Sequence, residues 1–185
     1  NPNNRTRWSA SALRNRAVTD LFEPGSTLKA FTVAAGLESG QYRPDTPVDT
    51  TPGYYRVGSS TVRDVHNYGA LDVTGVIRKS SNVGASKIAM SLDKQAFWSL
   101  LSRIGFGAVT ASGFPGEASG LPVNYRRWRP IEQATLSFGY GLSVTPLQLI
   151  GGKSLGLLAA TLTQLLVYAI AVVVGLLAAA PYVSL

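Results

Sequence analysis

The 185-residue sequence contains no cysteine and a single histidine, and 15% of its residues are charged. Without cysteine the chain cannot form disulfide bonds, use a thiolate nucleophile or bind zinc through sulfur. The lone His66 argues against a histidine-rich metal centre and against a catalytic triad built on histidine. We interpret His66, in a stretch rich in tyrosine and asparagine, as a structural hydrogen-bonding residue.

Charge is also missing from the end of the chain. Every charged residue lies at or before Lys153, and the last 32 residues carry none. A membrane-spanning helix needs about 20 predominantly apolar residues, and the run 155–180 is long enough. The pattern therefore predicts a charged domain, residues 1–149, and an apolar tail, residues 150–185, that forms a transmembrane helix. A buried core helix is the alternative interpretation of the tail.

Apolar periodicity and capping residues predict four helices in the charged domain. Ser26 is the expected N-cap of the first, and Asp72 of the second. The predicted helices span residues 26–40, 73–79, from near 82 to about 92, and 93–104. Proline, glycine and threonine predict loops and a small β-hairpin in 41–70 and loops in 105–130, and Thr145-Pro146 indicates a further helix start.

The chemistry-bearing residues lie near the starts of two of these helices. Ser26 and Lys29 are three residues apart, so on a helix they share one face. A serine hydroxyl becomes a good nucleophile when a neighbouring base accepts its proton, and an amine can do so when burial lowers its pKa. The amide N–H groups of a helix N-terminus also stabilise developing negative charge. The arrangement suits acyl transfer.

Spacing alone is weak support, because Ser91 and Lys94 repeat it. We interpret that second pair as a solvated helix junction. The segment Ser80-Ser81-Asn82 lies between two predicted helices, and a tight junction can direct the side chains of Ser80 and Asn82 into a cleft.

The combination of motifs resembles a known family. Ser-x-x-Lys followed by Ser-x-Asn is the motif order of penicillin-binding proteins and serine β-lactamases. Around it, segments 16–29 (RAVTDLFEPGSTLK), 63–69 (RDVHNYG) and 79–84 (KSSNVG) are similar to class B penicillin-binding proteins of the division-specific, penicillin-binding protein 3 type. Segments 113–117 and 139–148 extend the similarity, which covers roughly residues 1–149.

The resemblance implies an α/β (α+β) transpeptidase fold of the penicillin-binding protein and serine β-lactamase type. We expect this chain to contain part of that fold, mainly its helical portion, together with the C-terminal hydrophobic helix. It implies D,D-transpeptidation of peptidoglycan stem peptides that end in D-Ala-D-Ala, and acylation by β-lactams. By position, Ser26 would be the nucleophile, Lys29 its base and Ser80 the proton relay, while Asn82 would bind the substrate. The family needs no metal and no organic cofactor.

The resemblance also implies a place in the cell. Family members of this type are held in the inner (cytoplasmic) membrane with the catalytic domain in the periplasm, where they build the septal wall, and a membrane glycosyltransferase of the divisome is an expected partner. One feature conflicts with this location. All basic residues precede the apolar tail, and the positive-inside tendency then favours a cytoplasmic domain.

The sequence departs from the family pattern at its third motif, Lys-Thr/Ser-Gly, which it does not contain. Residues 153–155 (KSL) are no substitute, because the third residue is leucine and the segment adjoins the apolar run. We therefore expect a domain truncated before this motif, joined to a tail foreign to the family. The alternative is an inactive fragment, or a fusion whose tail belongs to a membrane transporter permease.

A formal net charge of +7 and the basic cluster 126–129 (RRWR) raise nucleic-acid binding as a rival function. The cluster lies in a predicted loop next to Pro130, outside any recognisable nucleic-acid-binding module. A solvated surface, or a face near anionic polymer or lipid, explains it better. We therefore expect no nucleic-acid partner.

Overall fold

The computed structural model describes Ser9, residues 14–120 and 124–152, and the single residues Ser154 and Ile170. Six named helices within these ranges, α1 to α6, span Arg16–Thr19, Lys29–Glu38, Val73–Lys79, Asn82–Ser91, Lys94–Arg103 and Pro130–Leu136. Four short strands, β1 to β4, span Pro47–Asp49, Tyr54–Val57, Ser60–Arg63 and Ala70–Asp72. Turns of 3-10 helix lie at Gly25–Leu28 and Tyr125–Arg127, and residues 146–152 are helical.

Helix α2 is preceded by the 3-10 turn Gly25–Leu28, and this turn alters the expected start of the helix. The prediction that Ser26 caps the helix is wrong, since Ser26 lies inside the turn. The hydroxyl of Thr27 bonds the carbonyl of Pro24 at 2.6 Å and supports the turn instead. The Ser26 hydroxyl is thereby left for the side chain of Lys29.

The predicted helix bounds are confirmed for α2 to α5, to within a few residues, because their caps are local. Asp72 accepts a hydrogen bond from the backbone N–H of Gly75 and caps α3 as expected. Asp93 accepts from two backbone N–H groups and caps α5. Helix α6 has no counterpart among the sequence predictions. Its signal is Pro130 at the first turn and the carboxylate of Glu132, which accepts from the N–H of Arg129 at 2.7 Å.

The strands form two antiparallel pairs. The predicted hairpin is confirmed as β2 paired with β3, with Tyr54 opposite Arg63. Strands β1 and β4 also pair, with Val48 opposite Leu71. This second pair joins residues more than twenty positions apart, so local sequence patterns could not reveal it. An isolated antiparallel bridge links Phe22 with Val144 and brings the segment before Ser26 against the segment after α6.

The main hydrophobic core surrounds one face of α2. Phe31 packs edge-on to Phe106 at 5.3 Å, and Phe97 packs edge-on to Trp128 at 6.1 Å. A second cluster joins the opposite side of α2 to β1, α3 and α4, and a third joins the β2–β3 hairpin to α6. Because α2 is packed on several sides, the residues at its first turn have little freedom.

The predicted tail, residues 150–185, lies largely outside the described residues, which omit 153, 155–169 and 171–185, and the domain boundary at residue 149 stays a prediction. Within the described ranges, no helix is both long and apolar enough to cross a membrane.

Candidate active site

The side chains of Ser26 and Lys29 meet at the first turn of α2. The amine of Lys29 lies 3.1 Å from the Ser26 hydroxyl oxygen. The two residues are three apart along continuous helical backbone, so they lie one above the other. Lys29 is 2% exposed, whereas Ser26 is exposed to solvent. The site therefore has a buried amine and an accessible hydroxyl, as a nucleophile and its base require.

Ser80 lies on the other side of the same amine. Lys29 donates to the Ser80 hydroxyl at 2.9 Å and to the Ser80 carbonyl at 2.5 Å. Ser80 ends α3 in the left-handed conformation, with φ of 54°. This conformation is costly for a residue other than glycine and persists only where surrounding contacts impose it. It points both polar groups of Ser80 toward Lys29.

The junction between α3 and α4 is tight. Ser81 caps α4 by accepting from the N–H of Gly84 at 2.8 Å. A Cβ on Gly84 would press into the side chain of Val76, so the close approach of the two helices needs glycine there. The prediction of a tight turn at Ser80-Ser81-Asn82 is confirmed.

Asn82 is the first residue of α4 and is partly exposed. Its side-chain amide donates to the carbonyl of Arg63, at the end of β3, at 3.0 Å. A second N–H and the amide oxygen are further hydrogen-bonding groups of the same side chain. The structure thus brings Ser26, Lys29 and Ser80 into one hydrogen-bonded group and places Asn82 two residues along the same turn.

Burial changes the acid–base chemistry of Lys29. Removal from water disfavours the charged ammonium and lowers the Lys29 pKa from 10.5 to about 8, while the negative charge of Asp64 acts in the opposite direction. At pH 7 roughly a tenth of such amines are neutral, enough for a working general base.

A glycine after α6, Gly139, contacts the turn that carries Ser26. Gly139 has φ of 86°, and its carbonyl accepts a hydrogen bond from the backbone N–H of Gly25 at 3.3 Å. A Cβ on Gly139 would overlap the backbone of Gly25, the residue before Ser26. Nearby, the N–H of Gly141 donates to the carboxylate of Glu23 at 2.8 Å. The start of the similar segment 139–148 therefore contacts the turn that carries Ser26.

Other residues considered in the sequence lie away from this group. His66 is exposed, and its ring packs edge-on to Tyr68 at 6.1 Å. Trp128 of the basic cluster is 5% exposed and forms part of the core. Arg129 pairs with Glu132 at 2.9 Å. In the part of the chain that the structure describes, no three histidine or carboxylate side chains cluster as metal ligands.

Comparison with known proteins agrees with this geometry. Residues 1–154 match the family described as the penicillin binding protein transpeptidase domain. The chain belongs to that family. Over 148 residues it is 48% identical to a probable peptidoglycan D,D-transpeptidase PenA of Neisseria gonorrhoeae, covering 80% of this chain and 25% of the relative. Over 149 residues it is 48% identical to the peptidoglycan D,D-transpeptidase FtsI of Escherichia coli K12, with the same coverage of each.

Solved structures show the same transpeptidase fold. The apo TP domain of penicillin-binding protein 3 from Burkholderia pseudomallei superposes with a TM-score of 0.72 at 46% sequence identity, over 74% of this chain and 41% of that one. The predicted mixed helix-and-sheet transpeptidase fold and the family resemblance are thereby confirmed. The chain spans about a quarter of the length of the curated relatives it matches. The family match gives no support to the alternative of a transporter permease.

One residue of the candidate site was missed in the sequence. Asp64 was part of the similar segment 63–69, yet nothing in its spacing pointed to a role. Its carboxylate accepts hydrogen bonds from the Ser81 hydroxyl at 2.6 Å and from the backbone N–H groups of Asn82 and Val83 at 2.5 and 3.0 Å. A contact between positions so far apart becomes visible once the chain is folded.

Proposed function

We propose that this transpeptidase chain forms an acyl-enzyme through Ser26 with peptidoglycan stem peptides that end in D-Ala-D-Ala, and with β-lactams. The observation that supports it most strongly is the buried amine of Lys29 between two hydroxyls, 3.1 Å from Ser26 and 2.9 Å from Ser80. Its lowered pKa, about 8, suits proton transfer near neutral pH. The relatives described above are peptidoglycan D,D-transpeptidases by name, which supports the same reaction.

In the proposed first step, the Ser26 oxygen attacks the carbonyl carbon of the penultimate D-Ala. Lys29, as the neutral amine, takes the serine proton. The C–N bond to the terminal D-Ala then breaks, and the leaving nitrogen receives a proton from the Ser80 hydroxyl, which is replenished by Lys29. An ester on Ser26 and free D-Ala result. In a β-lactam the same bond lies in the ring, so the leaving nitrogen stays attached.

In the second step, an amine of another stem peptide attacks the ester. Its nitrogen forms the new amide bond, its proton returns through Ser80 and Lys29, and Ser26 regains its own. Asn82 would bind the substrate backbone through its amide oxygen and its second N–H, because the first N–H donates to the carbonyl of Arg63. No change of oxidation state occurs, so neither step needs a redox cofactor.

We also propose a membrane setting for this chain. Residues 1–149 would form the transpeptidase part, and 150–185 an apolar helix in the inner membrane. The catalytic residues would face the periplasm during septal wall synthesis, beside a membrane glycosyltransferase. The uncharged run after Lys153 supports the membrane attachment, and the names of the relatives support the peptidoglycan substrate. The orientation can be tested in whole cells with a reagent that does not cross the inner membrane. Residues near Asn82 should be labelled if the domain faces the periplasm.

The experiment is labelling of the 185-residue chain with a fluorescent penicillin, followed by mass spectrometry of the modified peptide. We expect one covalent adduct, on Ser26, and its loss in Ser26→Ala. Ser91→Ala is the matched control, because Ser91 has the same spacing to a lysine, and it should label like the parent. Folded parent chain that stays unlabelled, or an adduct that persists in Ser26→Ala, would contradict the proposal.

A further inference from the structure

Asp64 connects the β2–β3 hairpin to the turn that holds Ser80 and Asn82. It follows β3 directly, and its own N–H donates to the carbonyl of Gly53 at 2.9 Å. The hairpin is in turn fixed to α6 through buried Val57 and Val62. The carboxylate therefore extends from a rigid support and not from a free loop.

The carboxylate makes three hydrogen bonds to consecutive residues of the turn. One oxygen accepts from the Ser81 hydroxyl, and the other accepts from the backbone N–H groups of Asn82 and Val83. The N–H groups at the start of α4 carry partial positive charge, which a carboxylate neutralises. Ser81 in turn caps Gly84. This network fixes the direction in which the residue before it, Ser80, faces Lys29.

We propose that Asp64 is a positioning residue with two effects: it clamps the α3–α4 turn against Lys29, and its negative charge holds a proton on the Lys29 amine. This inference rests on the proposed acylation through Ser26. Beyond capping a helix, Asp64 would then control the fraction of Lys29 side chains that are neutral and able to accept the serine proton.

The charges around Lys29 support the second effect. Burial lowers the Lys29 pKa to about 8, and Asp64 is the charged group that raises it against this trend. Glu23, on the segment before the nucleophile turn, is bonded to Gly141. Lys79 and Arg63, on α3 and β3, are exposed, and so is His66 beyond the hairpin. Loss of the Asp64 charge should therefore lower the Lys29 pKa.

Asp64→Asn separates the charge from the clamp, because an amide oxygen can still accept the two backbone N–H bonds that one carboxylate oxygen accepts in the parent. If Asp64 acts electrostatically on a site that keeps its packing, Asp64→Asn lowers the Lys29 pKa below about 8. If Asp64 acts as a clamp without any effect of its charge, Asp64→Asn leaves the Lys29 pKa unchanged or, where the turn loosens and water reaches Lys29, raises it toward 10.5. Asp64→Glu keeps the charge and should keep the Lys29 pKa close to that of the parent chain.

The test is an NMR titration of the 185-residue chain carrying [13Cε]lysine. The sequence has five lysines, and the Lys29 signal is identified by its absence in Lys29→Arg. We expect a lower titration midpoint in Asp64→Asn than in the parent. Asp93→Asn is the matched control, because Asp93 also accepts two backbone N–H groups at a helix start, and it should leave the midpoint unchanged.

An unchanged or raised Lys29 midpoint in Asp64→Asn would overturn the inference. A lowered midpoint in both Asp64→Asn and Asp64→Glu would remove the charge as its cause. The pH profile of penicillin acylation provides a second readout, and its acid limb should move to lower pH in Asp64→Asn. If the parent is not acylated, the proposed function fails, while the titration still decides the role of Asp64.

Discussion

Two serine–lysine pairs with identical spacing occupy this chain, and the fold treats them differently. In Ser26/Lys29 the amine lies 3.1 Å from the hydroxyl. In the second pair the hydrogen bonds go elsewhere: the Ser91 hydroxyl lies 2.7 Å from the carbonyl of Ile88, and the Lys94 amine donates to the carbonyl of Trp128 at 2.7 Å. The Ser-x-x-Lys spacing alone therefore does not bring the amine to the hydroxyl. The backbone conformation and the surrounding contacts determine whether the two groups meet.

The backbone explains the difference. Ser26 and Lys29 lie on a continuous 3-10 and α-helical stretch, where residues three apart share a face. Ser91 ends α4 and Lys94 begins α5, and the extended residues Leu92 and Asp93 separate them. The extended link turns the two side chains away from one another.

The largest effect is expected from removal of each lysine amine. Lys29→Met should lower the penicillin acylation rate by roughly 10²–10⁴-fold, because the serine loses its general base. Lys94→Met should leave that rate within about twofold, since Lys94 contacts a carbonyl remote from the hydroxyl of Ser26. Stopped-flow or gel-based acylation rates measure both. Equal losses in the two variants would show that spacing, and not surroundings, determines the role.

The second prediction concerns stability and pH. The Lys29 pKa is about 8 in the folded chain and 10.5 when unfolded, so the folded state binds fewer protons between these values. Stability attributable to Lys29 should therefore rise with pH through this window, by at most about 3 kcal/mol. Urea unfolding of the parent and of Lys29→Met at pH 7 and pH 10 gives the difference. A difference that stays constant, or shrinks with pH, would contradict the buried amine.

A third prediction addresses the backbone that supports the first pair. Gly139→Ala should destabilise the chain by about 1–3 kcal/mol through backbone strain, and should lower acylation further by displacing the turn at Gly25. Gly105→Ala is the matched control for Gly139→Ala, because Gly105 also has a positive φ, 89°, but has open space at the Cβ position. It should show the strain without loss of acylation per folded molecule. Similar acylation in both variants would argue against the Gly139 contact.

The smallest effect is expected at the second pair. Ser91→Ala removes a hydrogen bond to the Ile88 carbonyl and another with the Tyr42 hydroxyl at 2.8 Å. Hydrogen bonds of this kind contribute about 0.5–1.5 kcal/mol each. Thermal unfolding should show a modest loss of stability with unchanged acylation. A loss of acylation here would show that the pair at Ser91 contributes to the reaction.

The sequence was informative at many places where the cause of structure is local, although the local start signal of α6 at Pro130 and Glu132 was missed and Ser26 does not cap α2. Caps and apolar spacing predicted α3 and α5 because Asp72 and Asp93 bond backbone groups within a few residues. The pairing of β1 with β4 and the bonds of Asp64 to the α4 start depend on contacts between distant segments. Spacing predicted the proximity of Ser26 and Lys29, but the approach of Ser80 followed from resemblance, since its left-handed backbone has no marker in the sequence.

The most direct test of the central claim is the pH dependence of penicillin acylation in the parent chain, measured between pH 6 and pH 10 at fixed ionic strength. If buried Lys29 is the base for Ser26, the rate rises with pH and levels off with a midpoint near its pKa of about 8. The same midpoint should appear in the lysine NMR titration. A rate that is independent of pH, or that has its midpoint near 10.5, would contradict the account.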